Sequence, residues 1–347
     1  MRGRHRPINL VEIRSGPVLL AAIIAAAGLI ACLGTRALIP LLRRAAVLDH
    51  PNERSLHTAP IPRGGGIALI AGIFFAWLLL IATGRVAPAL LVVLIGAALL
   101  AAISWIDDLR ELSPATRLLA QFVAVGLGMI AVMPEGPVFQ FWLTPALDTV
   151  AAALLWLWFV NLFNFMDGMD GLAGSEAAAI AVGLVLFASF GTGEDPGLAV
   201  LAATAGAAAL GFLVWNWAPA RIFLGDVGSV PLGYLLGFLL LHVAARGFWK
   251  IALILPLYFL ADATVTLGRR LARGERVWHA HREHFYQRAV QRGLGHAAVV
   301  HRVIAANIVL IGCGWAAENG WPILGLTAAG VTVALLLAWL ATAPARR

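Results

Sequence analysis

The sequence predicts an all-α polytopic integral membrane protein with about ten to eleven transmembrane helices, and three observations carry that prediction. Apolar residues make up 61% of the 347-residue chain and charged residues only 12%, too few to clothe an aqueous surface of that extent. Mean hydropathy is +0.87. The apolar residues are gathered in long runs, such as 18–35, 66–82, 86–106, 198–217 and 322–341. Each approaches or exceeds the roughly 20 residues that cross about 30 Å of hydrocarbon.

Taken in order, the predicted spans are 17–42, 64–83, 87–106, 115–133, 149–165, 174–190, 197–217, 228–245, 249–267, 298–317 and 321–341. Short loops rich in Gly, Pro, Asp and Arg separate them. The whole of 1–347 reads as one membrane-embedded domain, with a basic tail over 1–16 and one long hydrophilic loop over 268–297. The first run is long enough to span, so a retained helix is expected rather than a cleaved signal peptide. Cys32 and Cys313 both sit inside apolar runs and read as packing residues, not as a disulfide or a thiolate metal site. The net charge of +7 is read as positive-inside bias and contact with anionic headgroups, with no nucleic-acid partner.

Parity of the spans assigns sides. If the first span ends inside, the cytoplasmic segments and their flanks hold 17 Arg, among them Arg43, Arg44, Arg63, Arg110, Arg117, Arg221 and eight from Arg269 to Arg302. The other side holds seven Lys or Arg, four of them in the tail (Arg2, Arg4, Arg6, Arg14), which runs against the count. The imbalance favours a cytoplasmic location for loops 43–63, 107–114, 166–173, 218–227 and 268–297.

Four segments on that side carry chemistry. Asp107 and Asp108 end the third span; adjacent acids repel, which asks for a cation or a metal-bound phosphate, although a solvated loop with Arg110 as partner is the plainer reading. Asn161 and Asn164 close the fifth span, and Asp167 and Asp170 follow it. The two acids are three residues apart, which one helical turn would place on one face, and acids and amides at membrane depth are costly. Asn216, Arg221, Phe223 and the run Gly225–Asp226–Val227–Gly228 form the third segment. Glycines on either side of Asp226 leave room for a large anion to approach the backbone, while Arg221 also serves as a topology determinant and Phe223 as core packing. In the long loop, His279, His281 and His284 fall among many arginines, Arg282 and Arg288 included. A basic segment lying on headgroups explains the arginines but not the histidines. A zinc site lacks a nearby acid or Cys beyond Glu283, and anion binding suits the charge better.

Together these motifs resemble the polyprenyl-phosphate N-acetylhexosamine-1-phosphate transferases, glycosyl transferase family 4. The resemblance runs from Arg54, His57, Pro60, Pro62, Arg63 and Gly64–Gly66 through Asp107–Asp108, the double-Asp motif and Gly225–Ser229 to the histidine loop. It implies a cleft at the cytoplasmic face of a bacterial inner-membrane protein, with Mg²⁺ as cofactor and Mn²⁺ as a substitute. It implies transfer of a sugar-1-phosphate from a UDP-N-acetyl sugar to undecaprenyl phosphate, releasing UMP, at the first membrane step of O-antigen or other cell-surface polysaccharide synthesis. By motif, Asp226 matches the metal-coordinating acid, and Asp107 and Asp108 match the pair tied to metal and lipid phosphate; these three are the expected catalytic groups. Asn164 joins them as an expected metal neighbour and, with Asp167 and Asp170, matches the nucleotide site. Asn216 and Phe223 match positions near uridine. Arg63, His279, His281, Arg282 and His284 complete the expected substrate contacts, with loop arginines and histidines supplying positive charge. The spelling His279-Ala280-His281-Arg282-Glu283-His284 departs from the consecutive histidines of the phospho-MurNAc-pentapeptide translocase branch and looks more like the O-antigen-initiating one. It leaves open which two histidines act. A homodimer, and either direct displacement or a covalent aspartyl route, also stay open.

Rival classes fit less well. A secondary transporter would place its acids near the midplane, often in repeated halves, and no internal repeat is evident. A CDP-alcohol phosphotransferase would carry Arg where this chain has Gly174.

Overall fold

A computed structural model describes residues 16–51, 56, 59–276 and 281–342. Its elements in chain order are α1 (Pro17–Arg44), the strands β1 (Leu48–Asp49) and β2 (Ile61–Pro62), α2 (Gly66–Ala82), α3 (Leu90–Leu109), α4 (Pro114–Val132), α5 (Pro145–Phe165), α6 (Leu172–Phe190), α7 (Pro196–Asn216), α8 (Asp226–Ala245), α9 (Trp249–Ile254), α10 (Leu257–Ala272), α11 (Phe285–Gln291), α12 (His296–Glu318) and α13 (Pro322–Thr342). Among the described residues nine helices are long and apolar enough to cross a membrane, and the shorter Gly66–Ala82 is apolar as well. The all-α polytopic class read from the sequence is borne out.

Local chemistry sets the helix starts. Pro17, Pro114, Pro145, Pro196 and Pro322 each open a helix, where a missing N–H costs nothing. Ser113 Oγ accepts from Thr116 N at 3.1 Å to cap α4, and Asp195 Oδ1 accepts from Leu198 N at 3.0 Å to cap α7.

Two predicted segments differ from the structure. The span expected over 249–267 is broken into α9 and α10. Pro256 has no N–H and its ring crowds the preceding turn, so the helix stops and restarts there. Ile254 and Leu255 are buried, so this irregular backbone lies inside protein and away from lipid, where neighbouring groups can satisfy it. The hydrophilic loop expected over 268–297 is only partly a loop. Its α11 buries Phe285, Tyr286, Gln287 and Ala289 and packs against α13, so it is seated in the bundle and does not lie flat on headgroups. The nearby Arg292 donates from Nη1 to Ala341 O at 2.5 Å, and from Nη2 to Leu340 O, neutralising the exposed carbonyls that end α13.

The core is organised around α8, whose residues from Val227 to Ala245 are all buried. It packs against α2, α3 and α5. Small residues permit the approach: Gly233 lies against Phe163 and Gly237 against Trp156. The Trp156 ring stacks on Tyr234 at 4.7 Å, and its indole N–H donates to Tyr234 O at 2.9 Å. Tyr234 OH then reaches Ala124 O at 3.0 Å, tying α4, α5 and α8 together. Tyr234→Phe keeps the ring and removes one buried hydrogen bond. A loss of about 1 kcal/mol is expected, read as a small fall in the thermal unfolding midpoint in detergent with activity retained.

Candidate active site

The site grows from two helix starts laid side by side. Phe223 N donates to Pro62 O at 2.8 Å, Gly65 N to Phe223 O at 2.9 Å and Gly66 N to Leu224 O at 2.9 Å. These bonds fasten the N-terminus of α2 to that of α8. The helices then touch backbone to backbone, since a Cβ on Gly66 would lie 2.1 Å from Gly228 Cα. Gly225 has φ +74°, a left-handed conformation that glycine adopts without penalty.

Carboxylates converge on this corner. No side chain of its own caps α8. Instead Asp108, from the last turn of α3, accepts the Val227 N–H at 3.0 Å and supplies the cap from a neighbouring helix. The Arg63 guanidinium holds Asp108 in place, donating to its carbonyl and lying 3.9 Å from its Oδ1. Asp226 begins α8 itself, and Asn164, beside it, takes the Ser229 hydroxyl at 2.7 Å. Half-buried Asp167, in the turn between α5 and α6, is pushed well above the usual carboxylate range, first by burial and then by the charges of Asp226 and Asp108. Three acids from three parts of the chain thus share one electrostatic neighbourhood.

A cavity of about 490 Å³ opens beside them, lined by Asn161, Asn164, Asp226, Arg117, His281 and His284 among others. A second cavity of about 290 Å³ between α5, α8 and α9 is lined by Phe139, Trp142, Trp156, Phe159 and Trp249 without a single carboxylate. Convergent polar groups mark the first as the candidate site.

The histidine arm forms one wall. His281 and His284 have ring centroids 5.0 Å apart. Burial, then the neighbouring His284 and Arg270, pull the His281 imidazole down to about 4. That shift favours the neutral ring, a hydrogen-bonding group, over the charged one. Two of the loop arginines are held by acids of the same loop. Arg270 Nε bonds Glu275 at 2.8 Å, and Arg273 bonds Glu275 at 2.6 Å and Glu283 at 2.5 Å. Arg282 is exposed and its carbonyl accepts from Gln291 at 2.8 Å. His279, with Arg54 and His57 of the quoted motif, lies outside the described residues.

Several expected site residues serve as braces. Asp107 takes the Leu112 N–H at 2.7 Å and the Arg117 guanidinium at 3.1 Å, closing the turn between α3 and α4. Asp167 and Asp170 do not share a face, because the chain leaves the helix at Phe165 and re-enters it only at Leu172. Asp170 instead accepts from Ala220 N at 3.0 Å and pairs with His296 at 3.2 Å. Burial would lift the Asp170 carboxyl, yet those hydrogen bonds hold it below its usual range. Asn216 is buried, accepting from Gly171 N and donating to Ile222 O, both at 3.0 Å. Together Asp170 and Asn216 bind the 217–222 segment to the turn that carries Asp167. The room expected beside Gly225 is filled by protein: a Cβ there would meet Asp108 Oδ2 at 3.0 Å and Gly64 N at 3.1 Å. Sequence reasoning passed over Gln121, which takes the Asn161 amide at 2.7 Å, and Asp262, which bonds His284 Nδ1 at 3.1 Å. A lone acid within an apolar run was the available signal for Asp262.

The donor set fits Mg²⁺ in a particular way. Among the described residues no three His, Cys, Asp or Glu groups are gathered closely enough to hold a metal alone. Mg²⁺ seldom uses such a cage. It takes one or two carboxylates and completes its shell with water and substrate phosphate. Asp226, with Asn164 beside it and the carboxylates of Asp108 and Asp167 close by, matches that pattern.

The profile of glycosyl transferase family 4 matches residues 90–244, which contain Asp107, Asp108, Asn164, Asp167, Asp170, Asn216 and Asp226. A probable undecaprenyl-phosphate N-acetylglucosaminyl 1-phosphate transferase of Bacillus subtilis is 28% identical over 290 residues, covering 79% of this chain and 77% of that protein. A decaprenyl-phosphate N-acetylglucosaminephosphotransferase of Mycobacterium tuberculosis is 29% identical over 300 residues, covering 75% and 73%. A phospho-N-acetylmuramoyl-pentapeptide-transferase of Thermosynechococcus vestitus is 31% identical over 271 residues, covering 68% and 67%. With its acids placed at one end of an all-α bundle and these relatives matched over most of their lengths, the chain belongs to glycosyl transferase family 4, among the polyprenyl-phosphate hexosamine-1-phosphate transferases.

Proposed function

We propose that the protein transfers an N-acetylamino sugar-1-phosphate from a UDP-sugar to undecaprenyl phosphate, releasing UMP, as the first membrane step of a cell-surface polysaccharide such as O-antigen. The observation that carries this reading is the gathering of Asp108 and Asp167 around Asp226, which itself lines a cavity together with Asn164, Arg117, His281 and His284. The site faces the cytoplasm of the bacterial inner membrane, a reading supported by the arginine bias of that side. Mg²⁺ would be held by Asp226 with Asn164 beside it, and supplies charge neutralisation on the diphosphate. A lipid phosphate oxygen bonds to the sugar-bearing phosphorus as its bond to the UMP oxygen breaks. The chain's part is positioning. Arg63 and the α8 N-terminus keep Asp108 fixed, Asn164 orients Asp226, and the braces at Asp170 and Asn216 hold the Asp167 turn against the cavity.

Purified protein with Mg²⁺, undecaprenyl phosphate and a panel of UDP-N-acetyl sugars is expected to release UMP with at least one sugar. No release with any of them, where a known relative is active, overturns the reading. The relatives named as pentapeptide transferases support a second reading. Turnover confined to the UDP-MurNAc-pentapeptide donor would select it. Exchange of UMP into the UDP-sugar without lipid would indicate a covalent aspartyl route in place of direct displacement.

A further inference from the structure

Outside the carboxylate corner, the most heavily bonded acid near the cavity is Asp262 in α10, which is fully buried. Its Oδ1 receives His284 Nδ1 at 3.1 Å, Phe285 N at 3.0 Å and Thr266 Oγ1 at 3.3 Å. Its Oδ2 receives Tyr286 N and Tyr258 OH, each at 3.3 Å. We propose that Asp262 is the positioning residue of the histidine arm, fixing the tautomer and ring direction of His284 for the transfer reaction.

The argument begins with donors and acceptors. A carboxylate offers only acceptor sites, and backbone N–H groups can only donate. The nitrogen of His284 that meets Asp262 must therefore carry hydrogen, so the neutral ring keeps its free electron pair on Nε2. His284 also lines the cavity that Asp226 and Asn164 border. With Nδ1 engaged, Nε2 is the nitrogen left to accept a proton or hydrogen bond from a group entering that space. A carboxylate that orients a working imidazole is a recurrent arrangement in metal and acid–base sites. Asp262 also takes the Phe285 and Tyr286 N–H groups that open α11, so one carboxylate holds both the helix start and the His284 ring, while Gln287 Oε1 takes the His284 N–H at 3.2 Å. The ring is further confined by stacking on Tyr286, with centroids 5.7 Å apart, so its direction as well as its tautomer is set from behind.

The inference rests on the transferase reading for its consequence but not for its first test. In ¹⁵N-histidine-labelled wild-type protein in nanodiscs, at a pH where the ring is neutral, the His284 signal (assigned by its loss in His284→Gln) should report hydrogen on Nδ1 and none on Nε2. The opposite tautomer overturns the proposal whatever the enzyme does. In the assay, Asp262→Asn should lower kcat for UMP release by about 10–100-fold while KM for the UDP-sugar changes little. The double variant Asp262→Asn/His284→Gln should be no slower than His284→Gln alone, because a residue acting through His284 has nothing left to act on. Multiplying losses would mean a purely structural role and sink the idea. If Asp262→Asn does not fold, the wild-type tautomer still decides. If wild-type protein transfers no sugar at all, the transferase reading fails while the tautomer measurement stands.

Discussion

Asp226→Asn is expected to lower UMP release by at least about 10³-fold, the scale seen when a group that stabilises developing charge is removed from a preorganised site. Thermal unfolding in detergent should stay near that of the wild type. The substitution keeps side-chain size, and the α8 start remains capped by Asp108 through the Val227 N–H, not by Asp226. The two measurements separate chemistry from folding. Raised Mg²⁺ should rescue the variant poorly, since what is missing is charge on the ligand and not occupancy. Normal turnover would remove Asp226 from the proposed metal site.

The second large effect lies in a residue with no chemistry of its own. Gly66→Ala would set a Cβ 2.1 Å from Gly228 Cα and 2.5 Å from its N, backbone against backbone, where no flexible side chain can give way. The starts of α2 and α8 must part. Overpacking of this kind costs about 1–3 kcal/mol, visible as a lower unfolding midpoint. Activity should fall further than stability, by about 10²-fold, because Gly228 lies two residues past Asp226 and a shift near 1 Å misplaces the acid. Gly126→Ala in α4, where an added Cβ meets nothing within 4 Å, is the control and should be unaffected. Wild-type kcat and stability in Gly66→Ala would mean that the two helix starts are not the rigid base described above.

Much of this was legible in the chain. Runs of apolar residues long enough to cross a bilayer announce themselves by composition, so the fold class and most helix positions followed directly. The break at Pro256 was missed because hydropathy averages over a window, and a proline amid apolar neighbours does not lower that average. The acids at the ends of α3, α5 and α8 were legible as costly groups, and the structure does bring Asp108, Asp167 and Asp226 together. Their division of labour was not. Spacing shows that Asp167 and Asp170 are close in sequence, yet the chain is non-helical between Phe165 and Leu172, so one meets other carboxylates and the other meets His296. Asp107 and Asp108 are adjacent, but only the second reaches α8. Such partners lie 50 or 119 residues away and leave no local trace. Arginines near the histidines looked available to substrate because a sequence displays charge without pairing, and Glu275 and Glu283 already hold Arg270 and Arg273.

The crowding of negative charge around Asp167 has a consequence for how robust the molecule can be. A carboxyl raised in the fold holds its proton more tightly there than in the unfolded chain. Above that raised value its ionised form weighs against the folded state, and the penalty fades as pH falls through it. Acid and a bound cation therefore relieve the same tension. Selection for durability alone would neutralise Asp167; an ionisable group there surrenders endurance at the place where the proposed cation would settle.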